Sequence, residues 1–182
     1  MNKKQLKACL RIERSLNLGS GDFLHTIGKC ICRESCWLRW QYIKYMRLAE
    51  YSNGLIKYIY LRRKNLLGNK LGFEIWCKNI GKGLQLFHNG PIVINKDAVI
   101  GNNCSFHGDN CVGNNGFSLD CPVIGNNVNI GVGAKVIGDV VIADGCVIGA
   151  GSIVVSSILE PNSIVVGIPG RAVKVKTAEP LK

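Results

Sequence analysis

The chain has 182 residues, 47% hydrophobic and 19% charged. That suffices for one compact domain of roughly 100–150 residues plus an appendage. It excludes a two-domain dehydrogenase or kinase, and the apolar content excludes a disordered chain. The net charge of +11 is unevenly placed: residues 1–82 hold 17 Lys and Arg against 5 Asp and Glu, while residues 83–182 hold 6 against 7.

The chain opens MNKKQLKACLRIERSL, charged and without the apolar stretch of a secretory signal. A cytoplasmic protein is expected, its nine cysteines reduced and several of them packed as small hydrophobes. Lys3 to Leu18 and Ser35 to Glu50 space apolar residues at helical intervals, for example Trp37, Trp40, Tyr45 and Leu48. Gly19-Ser20-Gly21 and Ser52-Asn53-Gly54 are the breaks. Residues 55–67 continue through Tyr58, Tyr60 and Leu61 to Arg62-Arg63-Lys64, read first as a solvated helix end and second as a phosphate contact. The basic region would attract nucleic acid, an acidic membrane or a polyphosphate, but its plainer reading is a solvated helical surface. No nucleic-acid partner is expected, and a peripheral membrane contact stays open. Cys30, Cys32 and Cys36, with His25 nearby, lack the paired C-x2-C spacing of structural zinc sites, so no metal is expected.

From about residue 92 the sequence repeats every six residues. Large apolar residues recur at Ile94, Ile100, Phe106 and Val112, then at Ile124, Ile130, Val136, Ile142, Ile148 and Val154. The fifth position of each hexad is mostly small, as at Ala98, Cys104, Ala134, Cys146 and Ser152. Turn-formers such as Asn102-Asn103, Asn126-Asn127 and Asp144-Gly145 fall between, because Asn and Gly accept left-handed backbone at least cost. Period six fits neither a helix nor an alternating strand; it fits short strands with a corner every sixth residue, stacked into a column. The fold class expected is therefore mainly β, a parallel β-helix of hexapeptide repeats behind an N-terminal α-helical region. The pattern fails around Gly116 to Pro122, where a loop should leave the coil. Val140 to Leu159 is long enough for a membrane span, but its glycines, serines and six-residue period argue against one.

Proton transfer near pH 7 needs a group with a near-neutral pKa, and histidine is the usual supplier. His88 stands in LQLFHNG and His107 follows 19 residues later, close to three hexads, so the two imidazoles are expected on adjacent coils and one face.

The segments IGKGLQLFHNGPIVINKDAVIGNNC, CPVIGNNVNIGVGAKVIGD, VIGAGSIV and VVGIPGRAVKV resemble the serine acetyltransferase branch of the hexapeptide-repeat acyltransferases, including its relatives in surface-polysaccharide gene clusters. That resemblance implies a left-handed parallel β-helix, a homotrimer with sites between subunits, and acetyl transfer from acetyl-CoA to a hydroxyl of L-serine or of a polysaccharide sugar. It implies helical residues 1–70, an acyltransferase coil over 71–176 and a tail over 177–182. His88 matches the family's catalytic base, and His107 is taken with it as a second catalytic candidate. Gly131, Gly133, Ala134, Ala150 and Gly151 match the pantetheine contacts, and Arg171 and Lys174 the residues that meet the CoA phosphates. Two positions depart from the family. Phe73 stands where the Asp partner of the histidine belongs, with Glu74 beside it, and Cys121 before Pro122 stands where a second histidine belongs. These losses weaken serine and favour a sugar acceptor, which the polysaccharide relatives bear with the same losses. Two other readings stay open: a non-catalytic trimeric scaffold with a basic helical arm, and a metal-dependent hydratase on the same coil.

Overall fold

The computed structural model describes residues 2–19, 23–32 and 34–175. Lys176, the tail 177–182 and the Ser20-Gly21 break lie outside them. Four helices come first: α1 (Lys3–Leu18), α2 (Phe23–Ile31), α3 (Ser35–Tyr51) and α4 (Gly54–Leu71). Asn2 and Gln5 close a reciprocal capping box at the start of α1, satisfying two otherwise orphaned N–H groups. The helical period did not reveal α2, which is only nine residues long. Gly72, in the left-handed region at φ 84°, ends α4 and turns the chain into the coil.

The coil has three sheet faces, with strands numbered in chain order. One face stacks β1 (Phe73–Ile75), β4 (Ile92–Ile94), β7 (Asn110–Gly113), β10 (Lys135–Ile137) and β13 (Ile153–Val154). The second stacks β2 (Asn79–Ile80), β5 (Val99–Ile100), β8 (Val123–Ile124) and β11 (Val141–Ile142). The third stacks β3 (Gln85–Leu86), β6 (Ser105–Phe106), β9 (Asn129–Ile130), β12 (Val147–Ile148), β14 (Ser163–Val166) and β15 (Arg171–Val175). All pairings between strands are parallel except β14 with β15. This is the hexapeptide β-helix that the repeat predicts. Residues 140–159 are coil strands, and among the described residues no helix is long and apolar enough to cross a membrane.

All ten expected inward residues are buried, from Ile94 to Val154, and so are the small fifth-position residues Ala98, Cys104, Ala134, Cys146 and Ser152. Asn103 and Asn127 take the left-handed backbone, at φ 55° and 56°. Beside them Asn102, Asn126 and Asp144 form a ladder: the Asp144 carboxylate accepts from Asn126 N at 2.7 Å, and the Asn126 side chain accepts from Asn102 N at 2.8 Å.

Register shows where the period breaks. Lower coils pair residues three hexads apart, as Asn129 with Val147. The loop between β7 and β8 adds one hexad, so Val99 pairs with Val123, and it leaves Phe117 98% exposed. The corner after β3 is longer by two residues: Leu86 pairs with Phe106, yet Ile94 pairs with Val112. His88 stands in that enlarged corner.

The first coil of a parallel β-helix presents backbone groups with no coil beyond to bond them. Helical side chains do so here. Asn17 of α1 accepts from Leu86 N at 3.1 Å and donates to Leu84 O at 2.9 Å, while Glu13 accepts from Leu84 N at 3.3 Å. Arg47 of α3 donates to Ile80 O at 2.9 Å and Gly81 O at 2.5 Å. Lys64 of α4 donates to Ile75 O at 2.6 Å. The reading of Arg62-Arg63-Lys64 as a solvated helix end is thus corrected for Lys64. Its ammonium is buried under the first coil, lies 4.9 Å from the Trp76 ring, and is lowered in pKa by burial. The same stretch leaves Leu55, Ile56, Tyr58 and Ile59 exposed at the start of α4.

Candidate active site

The third face ends in one edge of the prism, and that edge collects the expected site residues. His88 follows β3, and His107 follows β6. Their ring centroids are 6.3 Å apart, tilted by 52°, so the two imidazoles do meet on adjacent coils. The residue in register with His107 is Phe87, because the corner is enlarged; Phe87 stacks on the His107 ring at 4.4 Å and 7°. His88 is exposed. His107 is half-buried, and its Nε2 is buried without a hydrogen-bond partner among the described residues. Burial lowers the His107 pKa below its usual 6.5, and His88 adds to the shift. Its imidazole is therefore mainly neutral at pH 7.

Below the imidazoles the edge is formed by small residues. Gly131 and Gly133 follow β9, and Gly133 N donates to Gly108 O at 3.0 Å; one coil further, Gly151 N donates to Val132 O at 2.8 Å. A Cβ on Gly131 would lie 2.8 Å from Ala150 N, so coil stacking itself demands glycine there. Gly151 has open space around its Cβ position, and its left-handed φ of 68° calls for glycine instead. Ala150 is exposed; Ala134, in contrast, is fully buried in the column with its methyl in the core. Arg171 and Lys174 stand exposed on β15, the last strand of the same face. Five strand spacings separate β3 from β15, roughly 24 Å. The edge thus carries imidazoles at one end, small residues along its middle and cations at the other.

The departures keep their character in three dimensions. Phe73 is buried edge-on against Tyr42 at 5.2 Å, and Glu74 faces outward. Cys121 is half-buried, donates to Leu119 O at 3.6 Å, and has its thiol pushed up first by burial and then by Asp97, which disfavours a thiolate nucleophile. Among the described residues, no three His, Cys, Asp or Glu side chains converge on a metal-sized site. Cys30 and Cys32 are exposed, Cys36 donates to Glu34, and the His25 side chain lies outside the described residues.

Four neighbours of the site carried no periodic signal: Phe87, Asn89, Asn17 and Arg39. Asn89 accepts from Arg39 Nη1 at 3.0 Å and donates to Ser35 Oγ at 3.1 Å, which ties the His88 corner to α3.

Residues 121–156 match the family described as bacterial transferase hexapeptide (six repeats). The match takes in β8 to β13 of the coil. Similar sequences include a serine acetyltransferase of Buchnera aphidicola, 37% identical over 53% of this chain and 38% of its own length. Another is the Escherichia coli K12 protein named as a colanic acid biosynthesis acetyltransferase, WcaB, 34% identical over 58% of this chain and 65% of its own. The chain spans less than two thirds of both relatives. Among solved structures, the Neisseria gonorrhoeae serine acetyltransferase superposes with a TM-score of 0.72 at 24% identity, over 98% of this chain and 68% of that one. The Brucella abortus serine acetyltransferase in complex with coenzyme A gives 0.72 at 21% identity, over 96% and 70%. These superpositions extend the likeness in fold from the hexapeptide coil into the helices.

Proposed function

We propose that the chain is an acetyl-CoA-dependent O-acetyltransferase whose acceptor is L-serine or a sugar of a surface polysaccharide. The observation that carries this reading is the single edge of the hexapeptide coil, with its paired imidazoles, its small residues and its terminal cations. The names of the sequence relatives and the coenzyme A bound to the Brucella enzyme support the donor.

In this reading acetyl-CoA lies along the edge as substrate. Gly133, Ala150 and Gly151 leave room for the thin pantetheine chain, beside the backbone of Gly131 and Ala134. Arg171 and Lys174 meet the phosphates, for which charged donors are suited. His88 takes the proton from the acceptor hydroxyl as its oxygen attacks the thioester carbonyl carbon. The tetrahedral oxyanion collapses, the carbon–sulfur bond breaks, and the imidazolium returns the proton to the departing thiolate. Backbone N–H groups of the corner stabilise the oxyanion. His107, kept neutral, forms the wall behind His88 and serves as the second imidazole of the site.

The working unit is read as a homotrimer, supported by the protruding loop that exposes Phe117 and Leu119. A cytoplasmic location is proposed with it. The basic helical region, with the apolar start of α4, supplies a surface for peripheral membrane contact.

Steady-state CoA release with L-serine, nucleotide sugars and oligosaccharides tests the reaction. Saturable release with one acceptor is expected; release no faster than background hydrolysis across the panel would remove the proposal.

A further inference from the structure

A second feature of the His88 corner has no role in proton transfer. Arg39 on α3 lines a small cavity of about 80 Å³ together with Asn17, Gln85 and Phe87. Its Nη1 is held by Asn89, the residue after His88. Its Nε is buried and has no hydrogen-bond partner, and no carboxylate lies within ion-pairing distance of the guanidinium among the described residues. Arg47, about two turns further along α3, is the contrast: it is buried against Glu13 and Glu50. Arg39 is half-buried, and a buried guanidinium N–H left without a partner is costly; the partial burial lowers the Arg39 pKa. Phe87 joins the cavity to the site, since it lines the cavity and stacks its ring on His107.

We propose that Arg39 and this cavity form an anion-binding subsite for the acceptor, so that the molecule acetylated at His88 carries a carboxylate. The inference rests on the acetyl-transfer reading and narrows its acceptor. A volume near 80 Å³ is small, so the subsite suits a compact anionic group at one end of the acceptor. The rest of the acceptor then lies against the exposed imidazole of His88. A planar guanidinium suits a carboxylate because its N–H groups match both oxygens. An amino acid and a sugar acid present the same group, and separate arms of the test distinguish them.

The test compares acceptors that differ in that charge: L-serine with L-serinamide, and glucuronate with glucose. The full chain should prefer the anionic member of one pair by roughly 10- to 100-fold in kcat/KM. Arg39→Gln should bring that ratio close to one through a higher KM for the anion, and Arg39→Lys should restore part of it. Binding is read separately from the Arg39 Nε–H resonance in ¹H–¹⁵N spectra, which should shift with the preferred anion and not with its neutral counterpart. Acetylation without charge preference, or a preference that survives in Arg39→Gln, overturns the subsite and leaves acetyl transfer standing. No acetylation of any acceptor, with the resonance shifting for an anion, overturns acetyl transfer and leaves the anion site standing. Neither acetylation nor a shift overturns both.

Discussion

Replacing His88 with alanine is expected to lower acetyl transfer by about 10²- to 10⁴-fold, the contribution typical of a positioned general base. The effect should appear in kcat at saturating acetyl-CoA, because in the proposed reading the CoA phosphates sit by Arg171 and Lys174, at the far end of the edge from His88. The fold should be untouched, since the side chain is exposed in a corner already enlarged by two residues. His107→Ala offers the comparison. Its ring is stacked on Phe87 and half-buried, so its removal disturbs packing as well as the site. Rates from both variants at several acceptor concentrations separate the roles. Full activity in His88→Ala would dismiss His88 as the base.

The second large effect is on stability. Arg47→Ala is expected to cost about 3–5 kcal/mol, because it strands a buried charge. Glu13 is 0% exposed and receives Arg47 Nη2 at 2.7 Å. Burial alone would lower the Arg47 pKa, but Glu13 and Glu50 raise it overall, so the arginine is held firmly protonated. The same guanidinium binds two carbonyls of the first coil, so the substitution also uncaps the end of the β-helix. For a chain of this size the loss corresponds to a drop of roughly 10 °C in melting temperature, read by circular dichroism. Replacing both partners, as Arg47→Met with Glu13→Leu, should recover part of the loss by removing the stranded charge. An unchanged melting temperature in Arg47→Ala would contradict the capping role of the helices.

The coil was legible because its constraint is local and repeated: each turn needs one large inward residue, one small one and a corner that tolerates left-handed backbone. Ile100, Phe106 and Ile130 satisfy that need in sequence and in space. The meeting of His88 and His107 was legible for the same reason, since spacing converts to stacking in a solenoid. The enlarged corner was not, because two extra residues in LFHNGP shift the register without changing composition; this is why Phe87, and not His88, lies in register with His107. The helical cap was hidden more deeply. Glu13, Asn17, Arg47 and Lys64 look like surface residues on helices, and only the open end of the coil turns them inward. Arg39 escaped notice on the same grounds.

Calorimetric titration of the full chain with acetyl-CoA tests the proposed donor edge most directly. Saturable heat is predicted, together with weaker binding of dephospho-CoA and a weakened response in Arg171→Ala. Absence of heat at millimolar acetyl-CoA would contradict the account, leaving a hexapeptide coil without a donor site.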